Sequence, residues 1–205
     1  MKSSRIAAFA VLSVATTACV AAQPDSFYVG LDGGVRKFGN GCGDFLQSLG
    51  YQASSFTCAK TARTIGGLVG YQFDSNFGAE LSYTDFGKPN ATAIVSGVPV
   101  SGYVYPTAFE FAFVGTAPIA KHFSFLGRLG VAITTTKIYV NAPSIGYSHN
   151  ESAQSRTAVP GVGFQYDVGK VAARLVYDWY GNVGDQSTTG TTHLSALTLG
   201  LTYSF

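Results

Sequence analysis

Apolar and polar positions alternate along most of the chain beyond residue 26. "FYVGLDGGV" sets Phe27, Val29, Leu31 and Val35 against Tyr28, Gly30, Asp32 and Gly34. "AFEFAFVGTAPI" sets Phe109, Phe111 and Phe113 against Ala108, Glu110 and Ala112. "KVAARLVYDWY" sets Leu175, Tyr177 and Trp179 against Arg174, Val176 and Asp178. The final "SALTLGLTYSF" sets Leu197, Leu199, Leu201, Tyr203 and Phe205 against small, mostly polar residues. A period of two marks a β-strand with unlike faces. "TIGGLVGYQF", "FGAELSYTDF", "FSFLGRLGVAITTTK" and "AVPGVGFQYDV" carry the same period and bring the segments to eight. Aromatic, β-branched and glycine residues dominate them, which argues against helix.

The connections alternate as well. Short ones fall at Asp74-Ser75-Asn76, Ala120-Lys121-His122 and Gly169-Lys170, and longer ones at about 39–62, 88–102, 139–155 and 181–191. In an up-and-down meander every long connection then lies at one end, as in outer-membrane barrels with short periplasmic turns and long outer loops. The face opposite the aromatics carries Asp32, Glu80, Glu110, Arg128, Arg174 and Asp178 among glycine, alanine, serine and threonine. Eight strands enclose room for small or interlocking side chains, and triplets of phenylalanine would overfill that space. The pattern therefore predicts an all-β fold, an eight-stranded antiparallel up-and-down transmembrane β-barrel. Its aromatic face meets lipid, its polar face meets the interior, and closure satisfies every backbone group.

Composition supports this. Of the 205 residues only 12% are charged, against 14% aromatic, and the net charge of +2 predicts no nucleic-acid partner. No apolar run beyond residue 22 is long enough for a membrane helix. Residues 1–22 differ: Lys2 and Arg5 precede an apolar core from Ile6 to about Val14, and small residues lead to Ala22. This reads as a secretory signal peptide cleaved after Ala22, with 23–205 forming the barrel. A lipoprotein retaining Cys19 is the rival reading, disfavoured by Thr16 three positions earlier. After export, Cys42 and Cys58 form an even pair in an oxidising compartment and read as a disulfide. Two thiols without a nearby histidine make half a metal site at most, so neither metal nor cofactor is expected.

From Phe27 to Phe205 the chain resembles the eight-stranded transmembrane domain of outer membrane protein A. "GYQFDSNFGAELSYTDFG" is similar to that family's second hairpin and "GRLGVA" to its fifth strand. "GVGFQYDVGKVAARLVYDWYGNVGD", followed by "LTLGLTYSF", is the most specific match. The resemblance implies an integral outer-membrane barrel serving as a structural protein, narrow pore, adhesin or receptor. Its best-known members continue into a peptidoglycan-binding domain, whereas this sequence stops at Phe205 and implies no cell-wall tether. The resemblance also implies a gate of switching ion pairs. Glu80 and Arg174 match two of its members, while Val114 and Gln165 stand at the matching lysine and second glutamate positions. Tyr203 and Phe205 match the terminal signal read by the outer-membrane assembly machinery.

The inner charges have two readings, a pore lining or a structural plug, and the narrow lumen favours the plug. His193 and Ser195 share the outward face of the last strand and resemble the pair used by small lipid A deacylases. No acid stands where it would orient the histidine, so no enzymatic activity is expected. Arg36 and Lys37, near the outer end of the first strand, are candidates to meet lipopolysaccharide phosphates. The outer loops are candidates for a host or surface ligand.

Overall fold

The computed structural model describes residues 24–38, 53–58, 61–95, 97–183 and 192–205. Its strands are β1 (Ser26–Phe38), β2 (Ala53–Cys58), β3 (Thr61–Gln72), β4 (Phe77–Asp85), β5 (Asn90–Val95), β6 (Val98–Ala120), β7 (Phe123–Ala142), β8 (Tyr147–Val168), β9 (Val171–Val183) and β10 (Thr192–Ser204). Eight of them close a ring, β1-β3-β4-β6-β7-β8-β9-β10, with every neighbouring pair antiparallel. The seam pairs β1 with β10 from Tyr28↔Ser204 to Phe38↔Leu194. β2 and β5 stand outside the ring and extend the sheet beside the outer part of β6.

The short turns and the start of β1 share one end with the finish of β10. In the first turn, Asp74 Oδ1 accepts hydrogen bonds from the backbone N–H groups of Asn76 and Phe77 at 2.7 and 2.8 Å. In the third, Gly169 takes a left-handed φ of 62°, open to glycine without strain. By the barrel convention this end is periplasmic.

The outward face is the apolar one on every ring strand. Phe109, Phe111 and Phe113 are 48, 47 and 61% exposed, whereas Ala108, Glu110 and Ala112 between them are buried. Such a surface would be untenable in water and is at home in lipid. Along β7 the outward residues run from Phe123 to Ile133 before Thr135 and Lys137 take over. At strand rise and barrel tilt that stretch is about 25 Å tall, the height of a hydrocarbon band.

The predicted long connections differ from what is observed. Residues 88–102 fold largely as the β5–β6 hairpin, with pairs from Asn90↔Tyr103 to Val95↔Val98. Residues 139–155 fold as the outer parts of β7 and β8, paired to Ala142↔Tyr147 and joined by a single 3-10 turn at Pro143–Ile145. Above the membrane the outward face meets water in place of hydrocarbon. The apolar–polar contrast fades there, while backbone pairing continues.

Candidate functional site

The interior holds two ionic clusters and an apolar cap. Near the periplasmic end, Arg174 on β9 forms an ion pair with Glu80 on β4, both side chains buried. The Arg174 Nε–H donates to Gln165 Oε1 at 2.7 Å, and the Gln165 amide donates to Asp167 Oδ1 at 2.6 Å. From β1 the Tyr28 hydroxyl donates to Glu80 Oε1 at 2.9 Å, and the Arg174 guanidinium lies 5.0 Å from the Tyr28 ring centroid. Gly70 makes room for this packing, since a Cβ there would collide with the Tyr28 ring.

A second cluster is centred on Arg128. Its Nη2 donates to Glu110 Oε1 at 2.8 Å and its Nη1 to Asp178 Oδ2 at 3.3 Å. The Tyr180 hydroxyl donates to Glu110 Oε2 at 3.2 Å. Glycines again leave the space, because a Cβ on Gly130 would strike Glu110 and one on Gly161 would strike Asp178 and Arg128. Between the clusters lies a cavity of about 30 Å³ lined by Asp32, Glu80, Arg128, Arg174 and Asp178, with room for roughly two waters. Asp32 faces this cavity and makes no ion pair among the described residues. Of the six residues singled out by sequence, five are thus paired in two separate groups. Val114, at the position matching the family's lysine, is buried with Leu126 and Val176 in an apolar contact. Gln165, at the second glutamate position, is the direct partner of Arg174.

Toward the outer end, Phe86, Ala108, Ala132, Val159, Tyr180, Leu194 and Ala196 form a buried apolar cluster. The Phe86 and Tyr180 rings meet edge to face, 5.0 Å between centroids. Tyr180 lies there on the inward parity of Arg174 and Asp178, and a β-bulge falls at it: Ser195 pairs with Trp179 and Leu194 with Gly181, so Tyr180 has no opposite residue. Gly181 accommodates the bulge with a φ of 61°, and Thr157 Oγ1 donates to the Tyr180 carbonyl at 3.0 Å.

Arg36 corrects the sequence reading. It is 1% exposed, its guanidinium lies 5.9 Å from the Phe86 ring centroid, and its Nη2 donates to the Gly87 carbonyl at 3.5 Å. It points into the barrel because it shares the parity of Asp32 and Gly34, and it cannot meet lipid phosphates. Lys37, one residue on, is exposed and faces outward. Tyr28 and Arg36 were legible by the same parity as interior residues. Tyr180 was legible too, on the parity of Arg174 and Asp178, while the bulge beside it leaves no mark on the alternation.

His193 is exposed and Ser195 half-buried, and among the described residues no hydrogen bond joins them. Tyr203 and Phe205 are exposed at the periplasmic end, where the rings meet at 5.4 Å and the Phe205 N–H donates to the Phe27 carbonyl at 3.0 Å. The signal segment 1–22 and Cys42 lie outside the described residues, and so does the side chain of Cys58, which closes β2.

Comparison with known proteins agrees with this architecture. Residues 22–205 match the model of the OmpA-like transmembrane domain. Outer membrane protein P5 of Haemophilus influenzae is 27% identical over 223 residues, covering 100% of this chain and 61% of that protein. Outer membrane protein A of Serratia marcescens is 27% identical over 219 residues, covering 100% of this chain and 56% of that protein. The chain thus spans less than two thirds of the length of these relatives. Among solved structures, Ail, the attachment invasion locus protein of Yersinia pestis, crystallised with the heparin analogue sucrose octasulfate, superposes with a TM-score of 0.56. That match has 14% identity and covers 89% of this chain and 100% of Ail. OprG of Pseudomonas aeruginosa gives a TM-score of 0.54 at 13% identity, covering 89% of this chain and 98% of OprG. The ring of eight strands, its outward apolar band and the match from residue 22 to residue 205 together place the chain: it belongs to the OmpA-like transmembrane domain family and is an integral β-barrel of the outer membrane.

Proposed function

We propose that the protein is a non-conducting, non-enzymatic barrel that anchors a rigid outer sheet for surface interaction. One observation carries this reading. The Glu80–Arg174 pair, the Glu110–Arg128–Asp178 cluster and the Phe86–Tyr180 cap succeed one another along the barrel axis. Each ionic group is held by partners from other strands, so opening a path would strand buried charges. The outer hairpins β5–β6 and β7–β8 meanwhile continue the barrel wall beyond the lipid band and supply a stiff platform. Ail, which shares the fold, was crystallised with a sulfated sugar analogue, which supports a role for that outer surface.

Residues 1–22 direct export and are removed, Cys42 and Cys58 form a disulfide in the outer part, and Tyr203 with Phe205 present the terminal signal to the assembly machinery. The outward His193 and Ser195 are rim residues without a catalytic role.

Planar-bilayer recordings test the closed lumen. The expected result is a membrane without discrete openings. Unitary openings that disappear when Glu80 is changed to Gln or Arg174 to Met would establish the rival reading, a narrow diffusion pore.

A further inference from the structure

Just beyond the apolar band, one sector of the outer wall combines cations and tyrosine rings. On β6, Tyr103 and Tyr105 share the outward parity of Phe109. Tyr105 lies four residues past Phe109, about 10 Å further along the barrel axis. Tyr103 stacks on Tyr139 of β7, 4.6 Å between centroids with an interplanar angle of 22°. Lys88 reaches over both β6 rings, its Nζ 4.8 Å from the Tyr105 centroid and 6.0 Å from that of Tyr103. Lys137 stands directly opposite Tyr105 in the β6–β7 register and is exposed. Asp85 is the acid in this sector. Its Oδ2 accepts from the Tyr105 hydroxyl at 2.6 Å and its Oδ1 from the Gly87 N–H at 2.7 Å, which fixes the Tyr105 ring.

We propose that this sector is a lateral site for the phosphorylated sugar headgroup of lipopolysaccharide in the same leaflet. Lys88 and Lys137 flank the Tyr105 ring and meet phosphate, and the Tyr103–Tyr139 stack takes the apolar face of a sugar ring. Height and direction select the occupant. The side chains point sideways from the wall at the level where hydrocarbon gives way to headgroups, so a ligand anchored in the membrane meets them directly. Tyrosine suits that boundary because its ring is apolar and its hydroxyl is not. The Lys88 ammonium over the two tyrosine rings and the exposed Lys137 carry a charge opposite to that of the phosphates of the outer leaflet. The candidate pair from sequence, Arg36 and Lys37, contributes only Lys37 to the outward face, and that residue lies two ring strands from β4 on the other side of β3.

The test uses the folded, detergent-solubilised barrel and purified lipopolysaccharide, with binding read by isothermal titration calorimetry. Folding of each variant is checked by the shift in gel mobility between unboiled and boiled samples. The double variant K88E/K137E is expected to weaken binding about tenfold or more, the loss typical of removed charged hydrogen bonds. The same lipid stripped of its phosphates should bind the unaltered protein equally weakly. K121E/K170E, with the same change in net charge in the periplasmic turns, should bind as the unaltered protein does. If reversal disturbs folding, K88Q/K137Q carries the comparison, with a smaller loss in the same direction. Equal affinity of the lysine variants and the unaltered protein, or an equal loss in K121E/K170E, would overturn the proposal. Tight binding of sucrose octasulfate that depends on Lys88 and Lys137, with lipopolysaccharide binding unaffected by them, would overturn it in favour of a soluble anionic sugar.

Discussion

Replacing Glu80 by alanine is expected to destabilise the folded barrel by about 3–5 kcal/mol, the usual result of removing one member of a buried ion pair. The loss is large because two buried groups depend on that carboxylate. Arg174 keeps its charge but loses its counter-ion, and Tyr28 loses the acceptor of its hydroxyl. Urea titration of barrels folded in lipid vesicles, followed by the gel-mobility shift, measures the change. The compensated variant E80L/R174M should recover most of the loss, because an apolar pair leaves no unpaired charge in the wall. Tyr28→Phe removes one hydrogen bond and should cost about 1 kcal/mol. If E80A unfolds at the same urea concentration as the unaltered barrel, the periplasmic cluster is not a structural plug and the closed-lumen proposal loses its main support.

Leu129→Arg carries the second large effect and tests which way the strands face. Leu129 is 61% exposed on β7 near the middle of the stretch from Phe123 to Ile133. On a water-facing surface this substitution would be close to neutral. At the mid-plane of a bilayer a lipid-facing arginine costs about 2–4 kcal/mol, falling toward zero near the interfaces. Thr135→Arg, three positions beyond the middle of that face, should therefore be tolerated far better. Parallel urea titrations in vesicles compare the two, and equal effects would contradict the assigned lipid band.

Much of this was legible in the sequence because one physical contrast runs through all eight strands. Inside the membrane, one face meets hydrocarbon and the other meets a packed polar interior, so the parity of Phe109, Phe111 and Phe113 against Ala108, Glu110 and Ala112 survives on every strand. The six interior charged residues followed from that parity, and so did the position of Arg36 once the count from Asp32 is carried two residues past Gly34. The partners did not follow. Whether Arg128 joins Glu110 or Arg174 joins Glu80 depends on how far each strand is staggered against its neighbour, and alternation is blind to stagger. The outer strands were hidden for another reason. "NATAIV" and "YSHNESAQS" carry no run of large apolar residues on alternate positions, so nothing in their side chains records the pairing of their backbones.

The closed seam has a consequence for assembly. Glu80 and Arg174 are separated by 94 residues, and Tyr180 and Glu110 by 70. Strands β4 and β6 therefore hold carboxylates whose counter-ions arrive only with β9 and β7, and β1 has its second neighbour only when β10 is in place. A partly built sheet would carry unpaired charges and two bare edges into lipid at once. Insertion is thus expected to be all-or-none, with the chain held outside the hydrocarbon until its last strand is in hand.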